Sequence, residues 1–253
     1  AGAIMKKNFT IGMAKQWKSD NTPVTETDLA INMMLINEVK ATFPGHRIKA
    51  EEESAMEGDG EYVWVCDPVD GTIPFASGIP ISTFSLALTQ HGKSILGVVY
   101  DPFQDRLFSA SLGSGAFLNG VRIHVSTKTD FQEIVGAYES FKRDKYDVRR
   151  LVDHLSFEKN TKLMCLCSVI YPSVLVAAGE LAFTIFPNDT AHDAAAVKII
   201  VEEAGGRVTD LFGNDQKYDA PTKGFIASNG ILHDKLIALS KELVTKNTFG
   251  KNS

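Results

Sequence analysis

One stretch decides how this chain folds and where its chemistry lies: Trp64-Val65-Cys66-Asp67-Pro68-Val69-Asp70-Gly71-Thr72. The β-branched and aromatic residues of Tyr62–Cys66 predict a strand that delivers Asp67 to the edge of a sheet. Pro68 then fixes the backbone, and the Asp-Gly pair favours a turn that brings Asp70 back towards the same point. Two carboxylates and the Val69 carbonyl can therefore converge on one cation. Because these ligands are all oxygens, the pattern favours Mg²⁺ over Zn²⁺.

Two further acidic segments stand at the ends of predicted elements. Glu51-Glu52-Glu53-Ser54 follows a predicted strand over residues 47–51, and Asp193 opens a predicted helix. Each segment alone has an ordinary explanation, because Asp-Pro and Asp-Gly are turn formers, acidic runs suit solvated loops, and Asp is favoured at helix starts. Clustered carboxylates repel one another, so the three segments together indicate a metal site. Beside it, the amides of Gly71 and Thr72 can point at phosphate oxygens.

The hydrophobic pattern elsewhere predicts layers of helices and sheets. A helix over residues 25–42 has an apolar stripe and starts at a capping Thr25 or Thr27. Four strands joined by short turns predict an antiparallel meander: Ile81–Thr89, Ser94–Tyr100, Arg106–Ala110 and Val121–Val125. In the second half, predicted strands alternate with predicted helices. The strands are Ile134–Tyr138, Lys162–Cys167, Leu181–Phe186 and Gly224–Ala227, and the helices that follow them are Tyr146–Phe157, Pro172–Gly179, Asp193–Ala204 and Leu232–Val244.

An antiparallel half followed by an alternating half is typical of layered α+β or α/β architecture. We place a boundary near residue 130. Residues 1–130 then form an N-terminal α+β half that carries most of the metal ligands, and residues 131–253 form a C-terminal α/β half. Because no flexible linker separates them in the sequence, we expect the halves to pack as one structural unit.

Composition narrows the classes of function. The 253 residues are 44% hydrophobic and 23% charged, with a formal net charge of -5. A nonspecific nucleic-acid-binding protein needs a dense basic surface, so we expect no nucleic-acid polymer as a partner. No apolar run approaches the roughly 20 residues of a membrane span, so we expect no membrane partner. Three cysteines, Cys66, Cys165 and Cys167, have apolar neighbours that predict buried, reduced thiols and a cytoplasmic location.

Together these motifs resemble those of the inositol monophosphatase family of lithium-sensitive, metal-dependent phosphatases. The matching segments are Glu52-Glu53-Ser54, the stretch from Trp64 to Thr72, and His192-Asp193-Ala194-Ala195-Ala196 with Glu203-Ala204-Gly205-Gly206. Upstream, Pro23-Val24-Thr25-Glu26-Thr27-Asp28 is similar to the family's Val-Thr-x-x-Asp segment. The resemblance covers nearly the whole chain. It implies an α-β-α-β-α layered sandwich of the sugar-phosphatase type, commonly a homodimer.

The resemblance also implies a role for each matching residue. Carboxylates and one carbonyl are implied as ligands of two or three Mg²⁺ ions: Glu52, Asp67, Val69, Asp70 and Asp193. Asp28 and Thr72 are implied to orient and deprotonate the attacking water, and Glu53 to hold a further water on the metal. The amides of Gly71 and Thr72 are implied to hold the phosphate, and Lys18 matches a basic position before the Val-Thr segment. The implied activity is hydrolysis of a small phosphorylated metabolite.

Departures from the family pattern concern the substrate. Ile73-Pro74-Phe75 follows Gly-Thr, His192 replaces a Trp, and Phe186 stands where inositol-specific members bind sugar hydroxyls with a Glu. An apolar side chain accepts no hydrogen bond, so inositol is not specifically implied. His192 is interpreted as a packing residue or a substrate contact, and Ser168 as a substrate contact or a strand-end cap. Histidinol phosphate, fructose 1,6-bisphosphate and 3'-phosphoadenosine-type bisphosphates stay open as substrates, as does a non-catalytic binding protein on the same fold.

Overall fold

The computed structural model describes residues 1–10, 16–17, 23–58, 60–142 and 144–248, so Lys18 lies outside the described residues. The chain opens with α1 (Gly2–Asn8), the paired strands β1 (Gln16–Trp17) and β2 (Pro23–Val24), and α2 (Glu26–Thr42). Thr25 caps α2, as predicted. Its hydroxyl accepts a hydrogen bond from the Thr27 amide, while the Asp28 carboxylate accepts one from the Thr25 amide. This capping box fixes Asp28 at the start of the helix.

The first sheet contains seven described strands in the order in which they follow along the chain. They are β3 (Arg47–Ala50), β4 (Tyr62–Asp70), β5 (Thr83–Gln90), β6 (Lys93–Asp101), β7 (Arg106–Ser111), β8 (Gly115–Leu118) and β9 (Val121–Arg122), with the short helix α3 (Thr72–Ala76) after β4. β3 and β4 are parallel, and the later pairs are antiparallel, which confirms the meander. The predicted strand Val121–Val125 is too long, because the Val125 amide donates to the Ala204 carbonyl instead of continuing the ladder.

The second sheet contains five described strands, ordered β12-β10-β13-β15-β14. The elements of this half are β10 (Val135–Tyr138), β11 (Tyr146–Asp147), α4 (Arg149–Asp153), β12 (Lys162–Met164), α5 (Ile170–Ala177), β13 (Phe183–Phe186), α6 (Ala195–Glu203), β14 (Arg207–Thr209), β15 (Phe225–Ser228), α7 (His233–Leu243) and β16 (Thr245–Lys246). β12, β10 and β13 run parallel, whereas β15 and β14 continue the sheet in antiparallel pairing.

The single helix predicted over Tyr146–Phe157 is wrong. Its first residues form β11, which pairs with β16, and the Asp147 carboxylate accepts a hydrogen bond from the Arg149 amide. A side chain that satisfies an amide in this way competes with helix formation, so the helix begins only at Arg149. One turn of π-helix, His154–Glu158, then ends the segment.

The strand predicted over Lys162–Cys167 ends early, at Met164. Cys167 has a φ of 53°, in the left-handed region that no extended strand contains. The expected burial of the cysteines is therefore correct only for Cys66. Cys165 is exposed and Cys167 is partly buried.

Alternation of side chains along the strands explains the layers. In β4, Val63 and Val65 face the core that contains α5 and α6, whereas Trp64 and Cys66 face the core beneath α2. α5 and α6 lie between the two sheets, α1 and α2 cover the outer face of the first, and α4 and α7 cover the outer face of the second. This order confirms the α-β-α-β-α sandwich. Among the described helices, none combines the length and apolar character needed to cross a membrane.

Candidate active site

The candidate site lies where strand ends from both sheets meet. Parallel pairing sets Ala50 of β3 opposite Cys66 of β4, so Glu51 and Asp67 follow at the same edge. The Glu51 amide continues the ladder by donating to the Cys66 carbonyl over 3.1 Å. The parallel strands β12, β10 and β13 end at the other side, and a cavity of about 470 Å³ lies between the two edges. Carboxyl ends of parallel strands commonly form ligand sites in this way.

Most of the predicted site residues line this cavity: Asp67, Val69, Asp70, Gly71, Thr72, Phe186, His192 and Asp193. Other predicted residues are described but lie outside its lining: Asp28, Glu52, Glu53 and Ser168. The lining also includes residues to which the sequence assigned no role: Pro23, Glu51, Glu139, Phe141, Cys167, Val169, Asn188, Asp189 and Thr190. Two of these, Glu51 and Glu139, directly follow the parallel strands β3 and β10, which is the sequence signal that points to them.

Three carboxylates, two of them buried and that of Asp193 partly buried, form the centre of the site. Oxygens of Asp67, Asp70 and Asp193 all lie within 4.8 Å of one another. A bulge makes this possible: Asp67 pairs with Ser85 and Asp70 with Thr83, so β4 has one extra residue in this interval. Burial, together with the neighbouring negative charges, raises the pKa of Asp67 well above its ordinary value of 3.8. Such a cluster is stable when protons or cations neutralise it.

Asp70 is held by hydrogen bonds from both halves of the chain. Its carboxylate accepts from the Ser168 hydroxyl at 2.5 Å, the Val169 amide at 2.9 Å and the Tyr171 amide at 3.1 Å. The Thr83 hydroxyl donates to it over 3.2 Å. Burial raises the pKa of Asp70, and the hydrogen bonds from Ser168, Val169 and Tyr171 oppose that rise. The four donors fix the orientation of the carboxylate before any ligand binds.

The structure places Ser168 beside Asp70, outside the cavity lining. Its side chain is buried, and its hydroxyl donates to Asp70 rather than to the cavity or to a strand end. It therefore positions a carboxylate of the candidate centre. The two residues are 98 positions apart in the chain, which is why the local sequence pattern did not reveal their contact.

Asp193 precedes α6 rather than opening it. The helix begins at Ala195, and the Asp193 carboxylate accepts a hydrogen bond from the Thr190 hydroxyl in the loop before it. The His192 Nε2 atom lies 3.6 Å from the same carboxylate. Burial raises the pKa of Asp193 to about 6, although His192 and Thr190 oppose the rise. His192 thus lies both on the cavity wall and beside a carboxylate of the cluster.

The glutamate of the acidic loop that lines the cavity differs from the one that the motif suggested as a ligand. Glu51, not Glu52, lines the cavity, because β3 ends at Ala50 and the next residue follows the ladder to the site. Glu52 is not part of the lining, and one of its carboxylate oxygens lies within 4.8 Å of oxygens of Glu51 and Asp28. The Glu53 side chain is exposed, and its carbonyl accepts a hydrogen bond from Asn32. The structure therefore does not bring Glu53 to the site.

Asp28 and Thr72 were expected to act as a pair. The Thr72 hydroxyl lies at the cavity and donates to the Val69 carbonyl over 3.0 Å. One Asp28 oxygen accepts from Thr25, and the other is buried without a hydrogen-bond partner among the described residues. Burial raises the pKa of Asp28 to about 6. The structure brings this carboxylate to Glu51 and Glu52, and shows no hydrogen bond between it and the Thr72 side chain among the described contacts.

Gly71 occupies the turn between the central motif and α3. Its φ is 79°, and a Cβ atom there would lie 2.7 Å from the Ile81 carbonyl oxygen. Its own carbonyl accepts a hydrogen bond from Ser82. Only glycine fits this left-handed, enclosed position.

One wall of the cavity contains aromatic side chains, and polar contacts with Lys145 hold the neighbouring residues Asn188 and Asp189 in place. Phe186 is buried, and its ring lies 5.4 Å from that of Phe225. Lys145 pairs with Asp189 at 2.5 Å, and its amide donates to the Asn188 side chain over 3.0 Å. The described residues that line the cavity include no Lys or Arg.

The chain is similar to known proteins over most of its length. The model of the inositol monophosphatase family matches residues 1–245. The chain is 37% identical over 221 residues to the fructose-1,6-bisphosphatase/inositol-1-monophosphatase of Thermotoga maritima, covering 87% of this chain and 83% of the relative. It is 33% identical over 219 residues to the Nus factor SuhB of Escherichia coli, covering 84% and 82%. A solved Thermotoga maritima IMPase gives a TM-score of 0.84 at 34% identity, over 96% of this chain and 92% of that one. The chain belongs to the inositol monophosphatase family.

Proposed function

We propose that this protein is a Mg²⁺-dependent phosphomonoesterase that hydrolyses a small phosphorylated metabolite. One observation carries the proposal: Asp67, Asp70 and Asp193 converge in a cavity whose described lining includes no basic side chain of Lys or Arg. A phosphate group would be repelled from such a cavity unless cations neutralised the carboxylates. Membership of the phosphatase family supports the same interpretation.

The donor set fits a hard divalent cation. The side chains of Glu51, Asp67, Asp70 and Asp193 and the Val69 carbonyl offer only oxygen atoms at the cavity, and such sets suit Mg²⁺. The raised pKa of Asp67 indicates buried charge that a cation would stabilise. We therefore assign to Glu51 the ligand role that the sequence motif had suggested for Glu52. Glu52 and Asp28 supply further oxygens beside it, which supports a site for two or three ions.

The protein's own residues would then divide the work of hydrolysis. When bound, Mg²⁺ lowers the pKa of a water molecule and neutralises charge on the phosphoryl group. Asp28 has an unsatisfied oxygen and a pKa of about 6, so it is mostly ionised at neutral pH and can accept a proton. The Thr72 hydroxyl faces the cavity and can orient that water. The amides of Gly71 and Thr72 can hold phosphate oxygens beside the cluster.

The aromatic wall suggests how the alcohol part of the substrate binds. Phe141 and Phe186 offer apolar surface, and Asn188 and His192 offer polar groups at the same cavity. This mixture suits an alcohol with both a ring or carbon face and hydroxyl or nitrogen groups. A homodimer is proposed on the family resemblance alone.

The test is phosphate release from a panel in the presence of Mg²⁺. The panel contains inositol 1-phosphate, histidinol phosphate, fructose 1,6-bisphosphate and 3'-phosphoadenosine 5'-phosphate, each with and without Li⁺. We expect metal-dependent turnover of at least one compound and its loss in Asp67→Asn and Asp193→Asn. Asp215→Asn is the matched control, because this exposed carboxylate pairs with the partly buried Lys198 and is not among the residues that line the cavity. Activity retained in both centre variants would refute the proposal.

A second candidate follows from the relative named Nus factor SuhB. That name describes a factor rather than a phosphatase, so a binding protein on this fold is the alternative. Measurable Mg²⁺ binding without phosphate release from any compound of the panel would favour it.

A further inference from the structure

Glu139 lies on the cavity wall directly after β10. Parallel pairing sets Tyr138 of β10 opposite Ile185 of β13, and the Glu139 amide continues this ladder by donating to the Ile185 carbonyl over 3.1 Å. The next residue of β13 is Phe186, so Glu139 and Phe186 lie at the same level of the sheet. Both residues line the cavity. The register therefore places a carboxylate beside an aromatic side chain at this end of the sheet.

Glu139 is buried but is not part of the proposed metal centre. The residue is 9% exposed. The described carboxylates with oxygens close enough to share a cation form two groups, Asp67 with Asp70 and Asp193, and Asp28 with Glu51 and Glu52. Glu139 belongs to neither group. Burial of a carboxylate is costly unless hydrogen bonds or opposite charge compensate it, so this position on the cavity wall suits a ligand that donates hydrogen bonds.

Other polar side chains of the same wall are held by the protein itself. The side-chain oxygen of Asn188 accepts a hydrogen bond from the Lys145 amide over 3.0 Å, and its nitrogen donates to a neighbouring carboxylate over 2.9 Å. Lys145 also forms an ion pair with Asp189. The Thr190 hydroxyl donates to Asp193. These contacts fix the wall in place around Glu139.

We propose that Glu139 determines substrate specificity by accepting hydrogen bonds from hydroxyl groups of the alcohol part of the substrate. The inference rests on the proposed phosphatase function and deepens it, because it names the substrate class as phosphate monoesters of polyols. An ionised carboxylate only accepts hydrogen bonds, and those it accepts are about twice as strong as bonds between neutral groups. Phe186 beside it offers apolar surface to the carbon face of the same ring or chain.

The experiment compares two phosphate esters with the same ring, myo-inositol 1-phosphate and cyclohexyl phosphate. Inositol has a hydroxyl on each ring carbon that lacks the phosphate, so one can reach Glu139 in any orientation, whereas cyclohexyl phosphate has none. The readout is the ratio of kcat/KM for the two esters, which cancels effects on metal binding that both share. Glu139→Leu should lower this ratio at least about 10-fold. Glu139→Gln should lower it less, because the amide oxygen still accepts a hydrogen bond.

Glu133→Leu is the matched control and should keep the wild-type ratio. Glu133 lies before the other end of β10, is exposed, pairs with Lys128 over 3.2 Å and does not line the cavity. The concentration of Mg²⁺ for half-maximal activity should stay within a few-fold of the wild type in Glu139→Leu. An unchanged ratio of kcat/KM in this variant overturns the proposal. A rise of about 10-fold or more in the Mg²⁺ requirement also overturns it, because Glu139 would then support the metal centre.

Melting curves show whether each variant folds, and Glu139→Gln, which keeps the shape of the side chain, carries the test if Glu139→Leu does not. Calorimetric titration with each ester in Mg²⁺ separates this inference from the proposed function. Absence of phosphate release counts against the proposed function, while the affinities still decide the role of Glu139. The wild type should bind inositol 1-phosphate at least about 10-fold more tightly than cyclohexyl phosphate, and the variants should lose that preference. No preference in the wild type, including no binding of either ester, overturns the proposal.

Discussion

Ser168→Ala tests whether support behind the carboxylate centre controls metal affinity. The Ser168 hydroxyl donates to Asp70 over 2.5 Å in a buried environment. Hydrogen bonds to charged groups contribute about 1.5–3 kcal/mol, and loss of a partner behind a metal ligand lowers metal affinity about 10–100-fold. Asp70 keeps donors from Thr83, Val169 and Tyr171, so we expect the lower end of that range. The concentration of Mg²⁺ for half-maximal activity should rise about 10-fold, equivalent to about 1.4 kcal/mol.

The assay is phosphate release as a function of Mg²⁺ at saturating substrate, with the best compound of the panel. At saturating Mg²⁺, kcat should return to within a few-fold of the wild type, because Ser168 acts through Asp70 and not on the substrate. Ser94→Ala is the matched control. Ser94 is also buried, and its hydroxyl donates to the Ala195 carbonyl over 2.8 Å, away from the Asp70 carboxylate.

Two results would refute this reasoning. An unchanged Mg²⁺ requirement in Ser168→Ala would show that the hydrogen bond does not support the ligand. An equal rise in Ser94→Ala would show that general loss of packing, rather than the contact with Asp70, causes the effect. Thermal melting of both variants reports how much stability each loses and separates that loss from metal affinity.

Other variants probe single physical features of the site and the core. Asp193→Asn should lower kcat at least 100-fold. The pKa of Asp193 rises from 3.8 to about 6 on folding, so ionisation of this group destabilises the metal-free protein as pH rises from about 4 to 6. The melting temperature of the variant should not show this dependence on pH. The His233 ring forms hydrogen bonds with the Ser228 and Thr209 hydroxyls, and burial lowers its pKa to about 4. The stability that neutral His233 contributes is therefore full above pH 6.5 and is lost as pH falls towards 4. The difference in melting temperature between wild type and His233→Gln should shrink over that interval. Gly71→Ala should lower both stability and activity, measured by melting and phosphate release, because the Cβ meets the Ile81 carbonyl.

Local patterns predicted the fold well where one segment decides its own structure. Along β4, Val63 and Val65 alternate with Trp64 and Cys66, and both sets of side chains pack into hydrophobic cores. A strand with two buried faces requires a layer of structure on each side of its sheet. The cap at Thr25 was also visible, because the capping box lies within four residues. The helix predicted from Tyr146 failed because β16, about 100 residues later in the chain, pairs with its first residues. No local pattern contains that information.

The residues of the candidate site could likewise be predicted where they are close to one another in sequence. Asp67 and Asp70 are close in sequence, so their convergence follows from one turn and one bulge. Glu51 could have been found from the pairing of β3 with β4, since the residue after Ala50 must reach the level of Asp67. The motif instead pointed to Glu52, because Glu52-Glu53-Ser54 is the match to the family's Glu-Glu-Ser pattern in this run. Register within a sheet, rather than residue type, decides which carboxylate enters the cavity.

Asp70 explains why the centre and the packing of the two halves depend on each other. The carboxylate extends from the end of β4 and accepts amide hydrogen bonds from Val169 and Tyr171, at the start of α5 in the other half. Negative charge is stabilised at such a position by the unpaired amides of the first helical turn. The same carboxylate has an oxygen within 4.8 Å of oxygens of Asp67 and Asp193. A single side chain thus joins the halves and completes the oxygen cluster, so any change that moves α5 relative to the first sheet also moves a proposed metal ligand.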